Sequence, residues 1–229
     1  HNAMSEKPVK IAFALEYSLG HITHSENLKR FLKGRSDIMP TYIDIPFGGA
    51  PMPPLLKPVF KDNWSIRASL AAKKGATAAG NVDAYFFHTQ VTSLFSTALM
   101  KRAPSVVSLD ATPLQYDSLG NHYKHKAGPA PLEALKKDMN VKAYRAAKHI
   151  VTWSQWCKQS LIDDYGIEGS KITVIPPGID PELWHVERDQ ARFEKAKDGL
   201  TLLFVGGDFE RKGGAVLLEA FRRFRKLDD

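Results

Sequence analysis

Short runs of β-branched and aromatic residues recur along this chain, and most are followed by a helical pattern of roughly 10–15 residues. The runs lie at 9–15, 41–45, 84–88, 105–109, 150–153 and 171–175. Helical patterns fall at 25–33, with Ser25 as N-cap, at 64–79, stopped by Gly80, and at 94–101, 132–148 and 155–165, the last behind a Ser154 cap. Strands spaced in this way join through crossover helices, so the sheet they form is parallel. The expected fold is α/β: a Rossmann-like parallel sheet with helices on both faces and right-handed crossovers.

That fold says where to look for chemistry. In open parallel sheets ligands bind beyond the carboxyl ends of the strands. The rule selects residues 17–23, 89–92, 110–128 and Ser154. Two irregular stretches flank these positions. Residues 46–58 hold Pro51, Pro53, Pro54 and Pro58, which forbid regular structure. Residues 110–131 form a long polar stretch with little expected local structure, and loops of that length are usually functional or disordered.

After Gly178 the pattern breaks into a segment that is charged at 187–198. A strand pattern restarts at 200–205, a glycine-rich turn follows at 206–214, and an amphipathic helix at 215–226. A single βα unit cannot bury its own apolar face. The expected organisation is a tag remnant at 1–3 before Met4, a Rossmann-like domain at 4–178, a linker at 179–199, and the first βα unit of a cut second domain at 200–229.

Composition narrows the class. Of 229 residues, 43% are apolar and 25% charged, which is globular. No apolar run reaches the ~20 residues of a membrane span. The one cysteine, Cys157, cannot form an internal disulfide and reads as a structural thiol, which fits a cytoplasmic setting. The net charge of +7 is scattered over helix faces. It fits solvated surface or peripheral contact with the inner, anionic face of a membrane. No basic stripe interleaved with aromatics argues for nucleic acid.

Candidate site residues come from the strand ends and the late turn. Arg211 and Lys212 stand in a glycine-rich turn before a helix, where backbone N–H groups and the helix dipole favour an anion. Solvated charges in a tight turn are the plain alternative. Asp110 ends an apolar strand, and is either a turn former or a charged group facing a ligand. In the first βα turn, Gly20 can bring backbone close to a phosphate, and His21 can donate to one or be an ordinary loop histidine. His24 reads as helix surface. His88 ends a strand and lines the cleft or packs beneath it. Tyr116 and Asp117 lie in the long loop as candidate acceptor contacts. His122 and His125 lie there too, and lack a third ligand of fixed geometry for a metal.

Several segments together resemble glycosyltransferase family 4, the retaining group with a GT-B fold. They are Leu202-Leu203-Phe204-Val205-Gly206-Gly207 with Arg211-Lys212-Gly213 and Leu217-Leu218-Glu219-Ala220-Phe221; Val174-Ile175-Pro176-Pro177-Gly178-Ile179-Asp180; and Ala146-Ala147-Lys148-His149-Ile150-Val151-Thr152-Trp153-Ser154 with Lys158 and Asp164-Tyr165-Gly166. The resemblance runs from about residue 84 to the end.

It implies the N-terminal, acceptor-side half of a transferase that moves a sugar from a nucleoside diphosphate sugar to a hydroxyl of a saccharide, lipid or small-molecule acceptor. No catalytic metal or other cofactor is implied. The leaving phosphate would help deprotonate the acceptor. Lys212 would contact the donor diphosphate, and Asp110 would face the reacting sugar where the family commonly has His. Gly207 replaces the family's arginine, and Arg211 is the candidate substitute. The family's pair of donor-gripping glutamates would lie past Asp229, so the 229-residue chain alone is expected to be inactive. A sugar-nucleotide epimerase on the same architecture and a non-catalytic binding domain remain the competing readings.

Overall fold

A computed structural model describes residues 7–48, 51–60, 63–119, 130–185 and 201–227. Residues 1–3, most of the 179–199 linker, His122 and His125 lie outside the described residues. The chain divides into two compact units, His1–Asp180 and Pro181–Asp229.

The first unit is a six-stranded parallel sheet. Its strands are β1 (Val9–Tyr17), β2 (Ile38–Pro46), β3 (Ala84–His88), β4 (Ser105–Leu109), β5 (His149–Thr152) and β6 (Ile172–Val174). The order is β2-β1-β3-β4-β5-β6, and every pair is parallel. The expected α/β fold is therefore observed. From β1 the chain crosses to β2 on one side, then returns past β1 to β3 and continues outward. The β1/β3 boundary is thus the topological switch point, where right-handed crossovers change faces.

The helices of this unit are α1 (Gly20–Leu32), α2 (Lys57–Phe60), α3 (Trp64–Ala78), α4 (Gln90–Ser93), α5 (Thr97–Met100), α6 (Pro113–Ser118), α7 (Ala130–Ala146) and α8 (Gln155–Asp163). Strand side chains alternate between faces. One set, Ala12, Ala14, Tyr85, Phe87, Val107, Leu109 and Ile150, builds a single core with Ala68, Ala72 and Ala76 of α3 and with Tyr144 of α7. Alanines at this spacing form one flat helix stripe, which lets α3 lie close on the strands. Gly75 on the same helix faces the Ile43 side chain so closely that a Cβ would overlap it. The opposite parity, Phe13, Leu15, Phe86 and His88, points to the other face of the sheet.

Three expectations about local structure change. Helix α1 begins at Gly20, not Ser25, and its N-cap Leu19 makes no side-chain cap bond. Ser25 is fully buried within the helix. The turn from β1 is short, so docking of the helix end overrides the capping preference. Second, residues 113–118 of the long polar stretch are helical. Thr112 and Gln115 form a capping box with Pro113 inside the first turn. Third, the helical pattern at 94–101 shortens to α5 at Thr97–Met100, and a separate turn, α4, precedes it at Gln90–Ser93.

The chain beyond β6 returns to α1. Asn27 Nδ2 donates to the Gly178 carbonyl at 3.2 Å, and Arg30 pairs with Asp180 at 3.2 Å. In the second unit, α9 spans Gly214–Leu227. A strand was expected at 200–205; of these, the described residues 201–205 carry no regular structure. A strand needs a partner for its backbone groups, and the described residues of this unit supply none. Val216 and Phe224 of α9 stand exposed. Among the described residues no helix is long and apolar enough to cross a membrane.

Candidate functional site

Strand parity gathers the site. His88 ends β3 on the face away from the α3 core. Asp110 and Trp153 follow β4 and β5 on that same parity, since Leu109 and Thr152 are register partners pointing the other way. Helix α1 enters over these positions and contributes His21 and His24, three residues apart and so on one helix face. Residues from four strand ends therefore meet at the carboxyl edge of the sheet, around the switch point.

The contacts are specific. His21 Nδ1 lies 3.0 Å from His88 Nε2, so the two rings share one proton. His21 Nε2 faces Asp110 Oδ2 at 3.8 Å. The His88 ring stacks on Trp153, with centroids 5.3 Å apart and planes 17° apart. His24 closes the group at 4.5 Å from His88 and 4.9 Å from Trp153. Beside them Glu16 is buried at the end of β1. It accepts from Thr89 Oγ1 and from Ser18 Oγ, each at 2.5 Å. The His88–Thr89 peptide bond is cis.

Burial sets the electrostatics. His88 is 0% exposed. Loss of solvent holds it well below the usual histidine range, and His24 and His21 push the same way. Burial, with help from His21, brings His24 down to about 4. Asp110 moves up from the usual carboxyl range because burial outweighs the attraction of His21 and the backbone bonds; Glu16 adds to the rise. Asp110 Oδ1 accepts the Ala111 N–H at 2.8 Å, and its side chain remains 30% exposed. Two histidines held by burial below their usual range, His24 and His88, thus lie behind a partly open carboxyl group.

The structure brings His21, His88 and Asp110 together. Gly20 sits at the first turn of α1, and a Cβ there would meet nothing within 4 Å. Tyr116 and Asp117 stand on α6, a separate element fastened to α8. Thr112 Oγ1 meets Ser160 Oγ at 2.8 Å, and Gln115 Nε2 donates to the Trp156 carbonyl at 2.9 Å. Arg211 and Lys212 belong to the second unit, in the turn just before α9. There Arg211 is held by Asp208, with Nε to Oδ2 at 3.2 Å. Cys157 is buried in α8, and burial pushes its thiol up to about 12. Such a thiol is inert.

Sequence reasoning missed three members. His24 was expected on the helix surface and is turned into the cluster. Its spacing from His21 is the signal that would have found it. Thr89 and Trp153 were marked only by lying at strand ends. Among the described residues no group of three or more His, Cys, Asp or Glu side chains is arranged to hold a metal ion.

Residues 22–183 match the family model described as Glycosyltransferase Family 4. No curated protein matches the chain. Among solved structures, the chain is similar to the Anabaena protein HepE in complex with UDP and glucose. The identity is 15%, the TM-score 0.44, and the likeness covers 83% of this chain and 50% of that one. The chain thus spans half the length of that protein.

Proposed function

The chain belongs to glycosyltransferase family 4, and from that membership we propose that it supplies the acceptor-side half of an enzyme transferring a sugar from a nucleoside diphosphate sugar to an acceptor hydroxyl, with retention. The observation that carries the reading is the His21–Asp110 pair, 3.8 Å apart at the carboxyl edge of a parallel sheet, beside its switch point.

Asp110 supplies negative charge where positive character grows on the anomeric carbon. Fixed opposite charge in a water-poor cleft is worth several kcal/mol to a transition state. His21 adds a polar nitrogen for the acceptor hydroxyl. Gly20 leaves open space for backbone to approach a phosphate. Lys212 contacts the donor diphosphate, with Arg211 as a second cation. Tyr116 and Asp117 line the acceptor side. The protein's work is then positioning and electrostatics, with the departing phosphate taking the acceptor proton. No resident metal takes part. The excess of basic residues supports peripheral contact with an anionic membrane on the cytoplasmic side.

The test is a screen of the protein carrying this chain together with a complete donor-side domain. Nucleotide sugars are offered with saccharide and lipid acceptors, and nucleoside diphosphate release is read with and without EDTA. Turnover unaffected by EDTA is expected. The anomeric configuration of the product, read by proton NMR, decides retention. Failure with every donor would remove the transferase reading and leave a binding domain.

A further inference from the structure

Helix α6 has six residues, too few to hold their own shape in water. Its place is set from behind by α8 and the residues that end α8. Ser160 Oγ donates to Asp164 Oδ2 at 2.6 Å. A serine has one hydroxyl proton, so the 2.8 Å contact between Thr112 Oγ1 and Ser160 Oγ takes its proton from Thr112. Thr112 Oγ1 in turn accepts the Gln115 N–H at 3.3 Å. The direction of the chain of bonds is therefore fixed. It runs from the backbone of α6 through two buried hydroxyl groups to an exposed carboxylate.

A second fastening lies beside the first. Tyr165 Oη accepts the Leu114 N–H at 3.1 Å. The Tyr165 ring stands edge-on to buried Tyr144, with centroids 5.4 Å apart and planes at 85°. The core thus decides where the phenol oxygen sits.

Both fastenings act just past Asp110. Before it, Leu109 is the last residue of β4, and its carbonyl accepts the Trp153 N–H at 3.1 Å. After it, Thr112 is tied to α8. Only Asp110 and Ala111 lie between these ties, so the backbone at Asp110 is pinned on both sides.

We infer that Ser160 and Tyr165 are positioning residues, which fasten Thr112 and Leu114 to α8 and its C-terminal end and so keep the Asp110 carboxyl at the cleft, 3.8 Å from His21. Neither touches the substrate; each acts through the 110–114 segment. The fastening stands on the bonds themselves. Its value to sugar transfer rests on the transferase reading above.

Carbon-13 NMR of the Asp110 carboxyl group in the 229-residue chain tests the fastening without any turnover. Burial holds that group above the usual carboxyl range, so freeing the segment to water should bring its titration midpoint down. A fall is expected in Ser160→Ala and in Tyr165→Phe. The second variant keeps the packed ring and serves if the first does not fold. Unchanged midpoints in the folded variants overturn the inference. Thr112→Ser retains the chain of hydroxyl groups and should retain the midpoint. A fall as large as that of Ser160→Ala would assign the effect to packing and overturn the inference as well.

In the complete enzyme a double-mutant cycle separates positioning from stability. Ser160→Ala should lower kcat by about tenfold or more with the donor KM unchanged, as misplacing a reacting group does. In an Asp110→Asn background the same substitution should cost less than about twofold, because the two residues act as one unit. Equal losses in both backgrounds overturn the inference. A midpoint that falls in the chain, with no sugar transfer by the unaltered enzyme, would defeat the transferase reading and leave the fastening of Asp110 standing. Transfer by Ser160→Ala at the parental rate would do the reverse.

Discussion

Thr89 Oγ1 donates to Glu16 Oε2 at 2.5 Å, so the first residue after β3 is tied to the penultimate residue of β1 across the switch point. The bond spans the gap that the topology opens between these strand ends. It also supplies one of two hydroxyl donors to a buried carboxyl group, the other being Ser18.

Thr89→Val keeps the volume and removes that donor. A buried polar group short of a partner costs about 1–3 kcal/mol. Urea denaturation should show a loss in that range, and Glu16→Gln should cost less than Thr89→Val. No loss in the valine variant would mean the bond is not made in solution.

Acid should weaken the fold through the two inner histidines. His24 and His88 have folded values below 6.5, that of His24 at about 4. Between pH 6.5 and about 4 the unfolded chain therefore binds more protons than the folded one. Stability is fully present above 6.5 and is lost as pH falls toward 4. Asp110 is raised and acts with the opposite sign, since its contribution is present in acid and lost as pH climbs through its folded value. Two groups outweigh one, so thermal melts should show Tm falling across this window. His24→Phe should flatten the slope; a slope as steep as the parent's would exclude His24 as a cause.

Leu19 sits at φ 45° and is 75% exposed. A side chain in that region costs roughly 1–3 kcal/mol, and little packing is lost by removing it. Glycine adopts the conformation freely but adds about 0.5–1 kcal/mol of unfolded-state entropy. Leu19→Gly should raise stability by about 1 kcal/mol, seen as a higher urea midpoint. A lower midpoint would show that the leucine is held by contacts rather than strained.

Asp110→Asn retains an oxygen for the Ala111 N–H and removes the charge. In the complete enzyme kcat should fall by about a hundredfold, with the circular dichroism spectrum unchanged. A drop of less than threefold would place the carboxyl group outside the reaction.

Arg211 is engaged with Asp208, so its guanidinium is only partly available to a donor. Arg211→Ala should weaken nucleotide-sugar binding less than Lys212→Ala does, both read by calorimetry. Unchanged affinity in the arginine variant would leave Lys212 to act without it.

The strands were legible because apolar runs of β-branched and aromatic residues have few other fates between glycine and proline stops. All six appear within a few residues of their expected bounds. The start of α1 was not legible, since Ser25 offers a good cap and nothing local announces that Leu19 accepts a strained one. The capping box of α6 was written in Thr112-Pro113-Leu114-Gln115 and passed over inside a polar stretch. The 200–205 run was read as a strand from its composition, but a ladder needs a neighbour that no local pattern reveals. For the site, strand-end positions pointed to His21, His88 and Asp110 singly. What joined them was side-chain parity across three strands, a property of the register rather than of any one segment.

His21 and His88 are 67 residues apart in the chain, and Trp153 lies a similar distance beyond His88. Loops of that span close late, after local structure has formed. The stack of Trp153 on His88 can therefore exist only once β1, β3, β4 and β5 have found their places. An indole set against imidazole rings emits differently from one in water. The fluorescence of Trp153, with the other three tryptophans replaced, would then serve as a clock for the last step of sheet assembly, built into the same residues that make the cleft.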